Sequence, residues 1–164
     1  MSLTRSEQLD AVDYALAVFR SQGTWQIEEL AETALASVET LATGLRRFAA
    51  DVGALGIVAV DEDFFILVRV DPRHTRVLLS DVTAADEWEL AESVLEFLGL
   101  PGPEDEEDGP AGDLTLLADL GMHPVDMAVL LDDVELYPDE MLSDIANRIG
   151  FGPEFDEAIG LDSL

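Results

Sequence analysis

The chain has 164 residues, 48 % of them hydrophobic, and carries 36 acidic side chains against eight arginines and no lysine, a formal net charge of −28. That apolar content supports one domain with a real core and argues against disorder, while the charge repels phosphate backbones and anionic membranes and favours basic partners. The absence of cysteine excludes disulfides, thiol nucleophiles and Cys-based zinc sites, and the first residues hold no apolar signal core, so a soluble cytoplasmic protein is expected.

In chain order, Asp13 to Leu30 offers two patterns. Leu9, Val12, Leu16 and Phe19 keep helical spacing, but Tyr14, Leu16 and Val18 alternate, as do Trp25 and Ile27 beyond the turn-forming Ser21-Gln22-Gly23-Thr24. The hairpin is favoured, with Val18 opposite Ile27 and both on one face with Leu16 and Trp25. From Thr33 to Asp51, Leu35, Val38, Leu41, Leu45 and Phe48 recur at three and four residues, which predicts one amphipathic helix capped by Gly53.

The next stretch reads as a three-stranded meander. Ala54 to Val60 is continuously apolar, Asp61-Glu62-Asp63 turns the chain, Phe64 to Val70 is β-branched and aromatic, and Thr75 to Leu79 returns after Asp71-Pro72-Arg73-His74. The middle strand is apolar on both faces and therefore needs cover above and below. Thr83 then reads as the cap of a helix carrying Trp88, Ala91, Val94, Leu95 and Leu98 and stopped by Gly99. Residues 101–110 (PGPEDEEDGP) cannot pack and read as an acidic linker. Beyond it come short helices: one from Leu114 to Leu120, one opened by Pro124, one from Pro138 to a stop at Gly150, and a last turn around Phe155.

The expected fold is α+β, a largely antiparallel sheet of about five strands in the order β-β-α-β-β-β-α with a C-terminal cluster of short helices. Residues 1–100 would form the sheet domain, 101–110 the linker, and 111–164 the helices on or beside the sheet. The charge follows this division. Residues 1–80 hold 12 acids and seven arginines, whereas residues 81–164 hold 24 acids and Arg148 alone, a balance of −23. Abundant acid without lysine is also what a GC-rich genome or salt adaptation produces, although salt-adapted chains usually trim the large apolar side chains kept here.

Few residues suggest a site. His74 and His123 stand far apart in sequence, in a turn and before a proline, and read as surface side chains rather than metal ligands. No nucleophile elbow, P-loop or dinucleotide fingerprint is present, and acids are too plentiful for any chosen pair to mark catalysis. The run Glu104-Asp105-Glu106-Glu107-Asp108 lacks the alternating ligands of a calcium loop and reads as solvated linker, available as an acidic surface for a partner. The arginines are more informative. If Val70 pairs with Thr75, Arg69 and Arg76 lie opposite each other on the face of Leu67 and Leu78, where like charges repel unless an anion sits between them. That anion is an internal carboxylate from the acidic half, or else an external anion or acidic peptide held by Arg69, Arg76 and Arg73. Arg46 and Arg47 complement the negative end of the first helix, and Trp25 and Trp88 read as core.

Three segments are familiar together: Phe64-Phe65-Ile66-Leu67-Val68-Arg69-Val70, Leu78-Leu79-Ser80-Asp81-Val82-Thr83-Ala84-Ala85, and Tyr137-Pro138-Asp139-Glu140-Met141-Leu142. With the acidic linker between them, the chain resembles an actinobacterial family of tRNA adenosine deaminase-associated proteins from about Asp13 to Phe155. The resemblance implies a tRNA adenosine deaminase as the first partner to test and brings no functional residues with it. The deaminase itself needs a zinc bound by His and Cys beside a catalytic Glu, and this chain has neither cysteine nor a His-x-Glu pair. The expectation is a non-catalytic interaction or regulatory protein without cofactor or metal, offering acidic surface to a basic protein and binding neither nucleic acid nor membrane; homo-oligomerisation stays open. Two alternatives stand beside it: a nucleic-acid mimic that inhibits a basic partner, and a small-anion binder at the Arg69/Arg76 face.

Overall fold

The computed structural model describes residues 10–48, 53–100, 109–133 and 135–160. Strands β1 (Val12–Ser21) and β2 (Thr24–Glu29) form the predicted hairpin, with Val18 opposite Ile27. Gln22 and Gly23 turn it with φ of 54° and 79°, the left-handed pair that matches the twist of an antiparallel hairpin. A 3-10 turn (Glu32–Ala36) leads to helix α1 (Val38–Arg46). The meander follows as β3 (Ala54–Val60), β4 (Phe64–Val70) and β5 (Thr75–Leu79). A second 3-10 turn (Val82–Asp86) precedes α2 (Glu89–Leu98), which Gly99 ends in the left-handed conformation. Beyond the linker come β6 (Ala111–Gly112), a 3-10 turn (Ala118–Leu120), α3 (Pro124–Leu131), α4 (Pro138–Ile149) and α5 (Gly152–Ile159).

The six strands make one sheet in the order β2-β1-β3-β4-β5-β6, every neighbouring pair antiparallel. Alternation in β4 explains the layering. Phe64, Ile66 and Val68 point into a core with Leu41 and Leu45 of α1 and with Ala91 and Val94 of α2. Phe65 and Leu67 point the other way, against Met127 of α3, Leu142 and Ile145 of α4, and Phe155 of α5. The helices that follow the linker are thus the second cover that β4 requires. Each buried large side chain contributes about 1.5–3 kcal/mol by leaving water, so segments too short to be helical alone are held by the sheet.

The structure departs from the sequence reading in three places. The single helix expected from Thr33 to Asp51 is divided at Ser37, whose Oγ accepts the Thr40 N–H while Thr40 Oγ1 accepts the Ser37 N–H. That reciprocal cap starts α1 afresh after a 3-10 turn, and residues 49–52 lie outside the described residues. The cap before α2 is Asp81 rather than Thr83: its Oδ1 accepts the Thr83 N–H at 2.9 Å, and α2 itself begins at Glu89. A sixth strand is also present. Gly112 lies opposite Leu78 with φ of 121°, and a Cβ there would fall 2.2 Å from the Val77 carbonyl oxygen, so only glycine lets the chain approach β5 this closely.

Candidate functional site

The cationic face of the sheet comes first. Arg69 lies opposite Arg76 and Leu67 opposite Leu78, and the Arg69 side chain runs beneath the C-terminal helical layer with only 7 % of the residue exposed. Its guanidinium meets Asp119, fifty residues downstream, in a two-pronged pair. Nη2 donates to Oδ2 at 2.9 Å and Nη1 to Oδ1, while Nη1 also donates to the Leu116 carbonyl at 2.9 Å. The hydrogen bond from Arg69 holds the Asp119 carboxyl below its ordinary range against the opposing effect of burial, helped by the positive charge of Arg69 and of Arg76. Asp119 therefore stands where an anion between the two arginines would stand. Arg73 lies on the exposed turn beyond them, its N–H donated to Asp71 Oδ1 at 2.7 Å.

At the other end of the β4–β5 ladder, the sheet and the C-terminal helices leave an open cavity of about 320 Å³. Four carboxylates border it, Asp63 from the β3–β4 turn, Asp81 after β5, and Asp132 and Asp133 after α3, and Phe65, Leu136 and Met141 give it apolar walls. Local backbone chemistry fixes the borders. Ser80 extends the ladder past β5, its N–H donated to the Phe65 carbonyl and its Oγ accepting the Phe65 N–H. Asp81 caps the 3-10 turn, and Asp133 Oδ1 accepts the Glu135 N–H at 3.0 Å. The Asp63 carboxyl is pushed up, first by partial loss of water and then by the negative charges of Asp81, Asp61 and Glu87. Such a shift marks a cluster of like charges without nearby compensation.

This arrangement suits a side chain with an apolar stem and a cationic head, lysine or arginine, laid along Phe65 and Met141 with its charge among the carboxylates. Among the described residues no three His, Asp or Glu side chains are gathered as ligands for a metal ion. Sequence reasoning singled out none of these four acids, because one aspartate among 36 acids carries no signal until the chain is folded. Of the acids it did single out, Glu104 to Asp108 lie outside the described residues; they join the chain at Gly109, which borders the cavity and whose carbonyl accepts the Val82 N–H at 2.8 Å. His74 and His123 are both exposed. A second cavity, about 330 Å³, opens on the opposite face of the sheet between Leu35, Phe64, Trp88 and Leu90, with Glu32, Thr33 and Glu89 among its walls.

Fold and site together define a class: an α+β protein with one antiparallel sheet between two helical layers, its acidic cavity set where the sheet meets the layer added after the linker. No helix among the described residues is long and apolar enough to cross a membrane. Residues 13–152 match the model of the Rv3753c-like tRNA adenosine deaminase-associated proteins, and the chain belongs to that family. It is 38 % identical over 150 residues, 89 % of this chain and 87 % of the relative, to Protein Rv3753c of Mycobacterium tuberculosis. No solved structure matches it. Two segments that carry the family resemblance, around Ser80-Asp81 and Tyr137-Pro138, meet at the acidic cavity, to which they contribute Ser80, Asp81 and Pro138.

Proposed function

We propose that this protein is a non-catalytic interaction protein that presents its acidic cavity and the surrounding acidic surface to a basic partner, a tRNA adenosine deaminase, in the cytoplasm. The observation that supports this most is the clustering of Asp63, Asp81, Asp132 and Asp133 around one open cavity, with the Asp63 carboxyl pushed up by its neighbours. A lysine or arginine of the partner relieves that repulsion on entering. The sheet's own cationic face is meanwhile engaged by Asp119, which leaves the small-anion reading without its motivation. The partner's identity rests on the family description.

Co-elution of this protein with the tRNA adenosine deaminase of its own host, at low and high ionic strength, tests the reading. A complex at low salt that dissociates as salt rises is expected, and Asp63→Asn with Asp132→Asn should weaken it. No complex even at low ionic strength refutes the partnership. The 24 acids against one base in residues 81–164 also favour a mimic of nucleic acid. Competition with tRNA for the deaminase supports mimicry; a ternary complex rules it out.

A further inference from the structure

The outer face of α3 departs from what a short surface helix normally shows. Met127 and Leu130 face the core, so polar side chains are expected outside. Instead Val125 and Val129, one turn apart, are 73 % and 67 % exposed. Two exposed valines alone mean little. What distinguishes these is continuity: one further turn along the same face come Asp132 and Asp133, both exposed and both bordering the acidic cavity. Asp126, beside the stripe, lies 3.5 Å from Arg148.

We propose that this stripe, Val125 and Val129 running into Asp132 and Asp133, docks a basic amphipathic helix of a partner protein. The partner helix carries apolar side chains one turn apart over the valines and a lysine or arginine one turn further on, entering the cavity. From Val125 to Asp133 is about 12 Å at the helical rise, so about two turns of the partner suffice. Charge complementarity selects this occupant. A second copy related by a twofold axis would bring the same acidic stripe against itself in chains of net charge −28, and nucleic acid or an anionic membrane would meet Asp132 and Asp133 with like charge. The inference deepens the reading above by naming the surface, and it rests on that reading for the basic character of the partner, though not for the partner's identity.

The test uses the full chain and two synthetic Leu/Arg peptides of about 18 residues with identical composition, one patterned as an amphipathic helix and one scrambled. The patterned peptide should bind at least about tenfold more tightly and shift the NMR methyl signals of Val125 and Val129. Val125→Ser with Val129→Ser should remove that preference at unchanged melting temperature, the valines being exposed. Asp132→Asn with Asp133→Asn should flatten the salt dependence. Equal binding of the two peptides, a preference that survives the serine variant, or a concentration-dependent dimer abolished by the same variant would each overturn the proposal. Running the deaminase in parallel separates the two readings. A deaminase that fails to bind beside a protein that still discriminates the peptides removes the partner and keeps the surface. A deaminase bound equally well by the serine variant removes the surface and keeps the partner.

Discussion

Asp119→Ala is the sharpest test of how the acidic half is held to the sheet. The substitution removes both carboxylate acceptors from a guanidinium that is 7 % exposed and leaves it the Leu116 carbonyl. Breaking a fully buried pair costs about 3–5 kcal/mol. The Asp119 side chain is 58 % exposed, however, so water can reach the vacated place. The expected loss is therefore nearer that of a charged hydrogen bond, about 1–3 kcal/mol, or a fall in melting temperature of roughly 2–10 °C for a chain of this size. Arg69 and Arg76 then face each other across the ladder with no carboxylate between them, so sulfate should raise the melting temperature of the variant more than that of the wild type. Arg69→Met tests the cause. Combined with Asp119→Ala it should restore part of the loss, because the buried charge that lacks its carboxylate is gone. The pH dependence has a definite sign. Asp119 titrates below its ordinary 3.8 in the folded protein, so its contribution is present above that value and is lost as pH falls through the lower folded-state pKa. The gap between wild type and variant should close in acid. A variant that melts within about 1 °C of wild type at neutral pH would refute this account of the pair.

Three further outcomes are expected. Gly112→Ala should free β6 from β5, at a cost of about 1–3 kcal/mol or more, because the added Cβ meets the Val77 carbonyl; faster hydrogen exchange of the Asp113 amide, which donates to Val77 at 2.9 Å, reads it directly. Tyr14→Phe keeps the edge contact with Phe155 but loses the 2.6 Å hydrogen bond to Asp139, costing about 1–2 kcal/mol by denaturant titration. In the wild type that phenol is pushed up by burial and by Asp139, so an ultraviolet titration should show it still protonated where an ordinary tyrosine ionises. Asp63→Asn should stabilise the protein at neutral pH and have little effect in strong acid. The Asp63 carboxyl is raised above 3.8, so its contribution is intact below that value and is lost as pH rises through its folded-state pKa. A variant less stable than wild type at pH 7 would contradict the like-charge reading of the cavity.

Much of this fold was legible in the sequence, and for local reasons. β3, β4 and β5 fall where unbroken apolar runs meet charged turns, and the pairing of Val70 with Thr75 alone placed Arg69 opposite Arg76. Pro124, Pro138, Gly99 and Gly150 mark helix limits because φ is restricted at proline and permissive at glycine. The division at Ser37 also had a local signal, a serine three residues before a threonine, but the continuing apolar spacing concealed it. β6 had none: two residues carry no period, and their place depends on Val77 and Leu78 approaching from elsewhere in the chain.

The acidity has the same two sides. Composition and order by themselves determined that the charge is regional, that β4 must be covered on both faces, and that two arginines on one face require an anion. Only the tertiary structure decided which carboxylate answers them and which others gather without such a cation. Asp119 reaches Arg69 across fifty residues of sequence, and Asp63 and Asp81 meet Asp132 and Asp133 only after the C-terminal helices pack on the sheet. Backbone preferences act within a few residues and are written in sequence, whereas a charge pair between distant segments exists only once burial has brought them together.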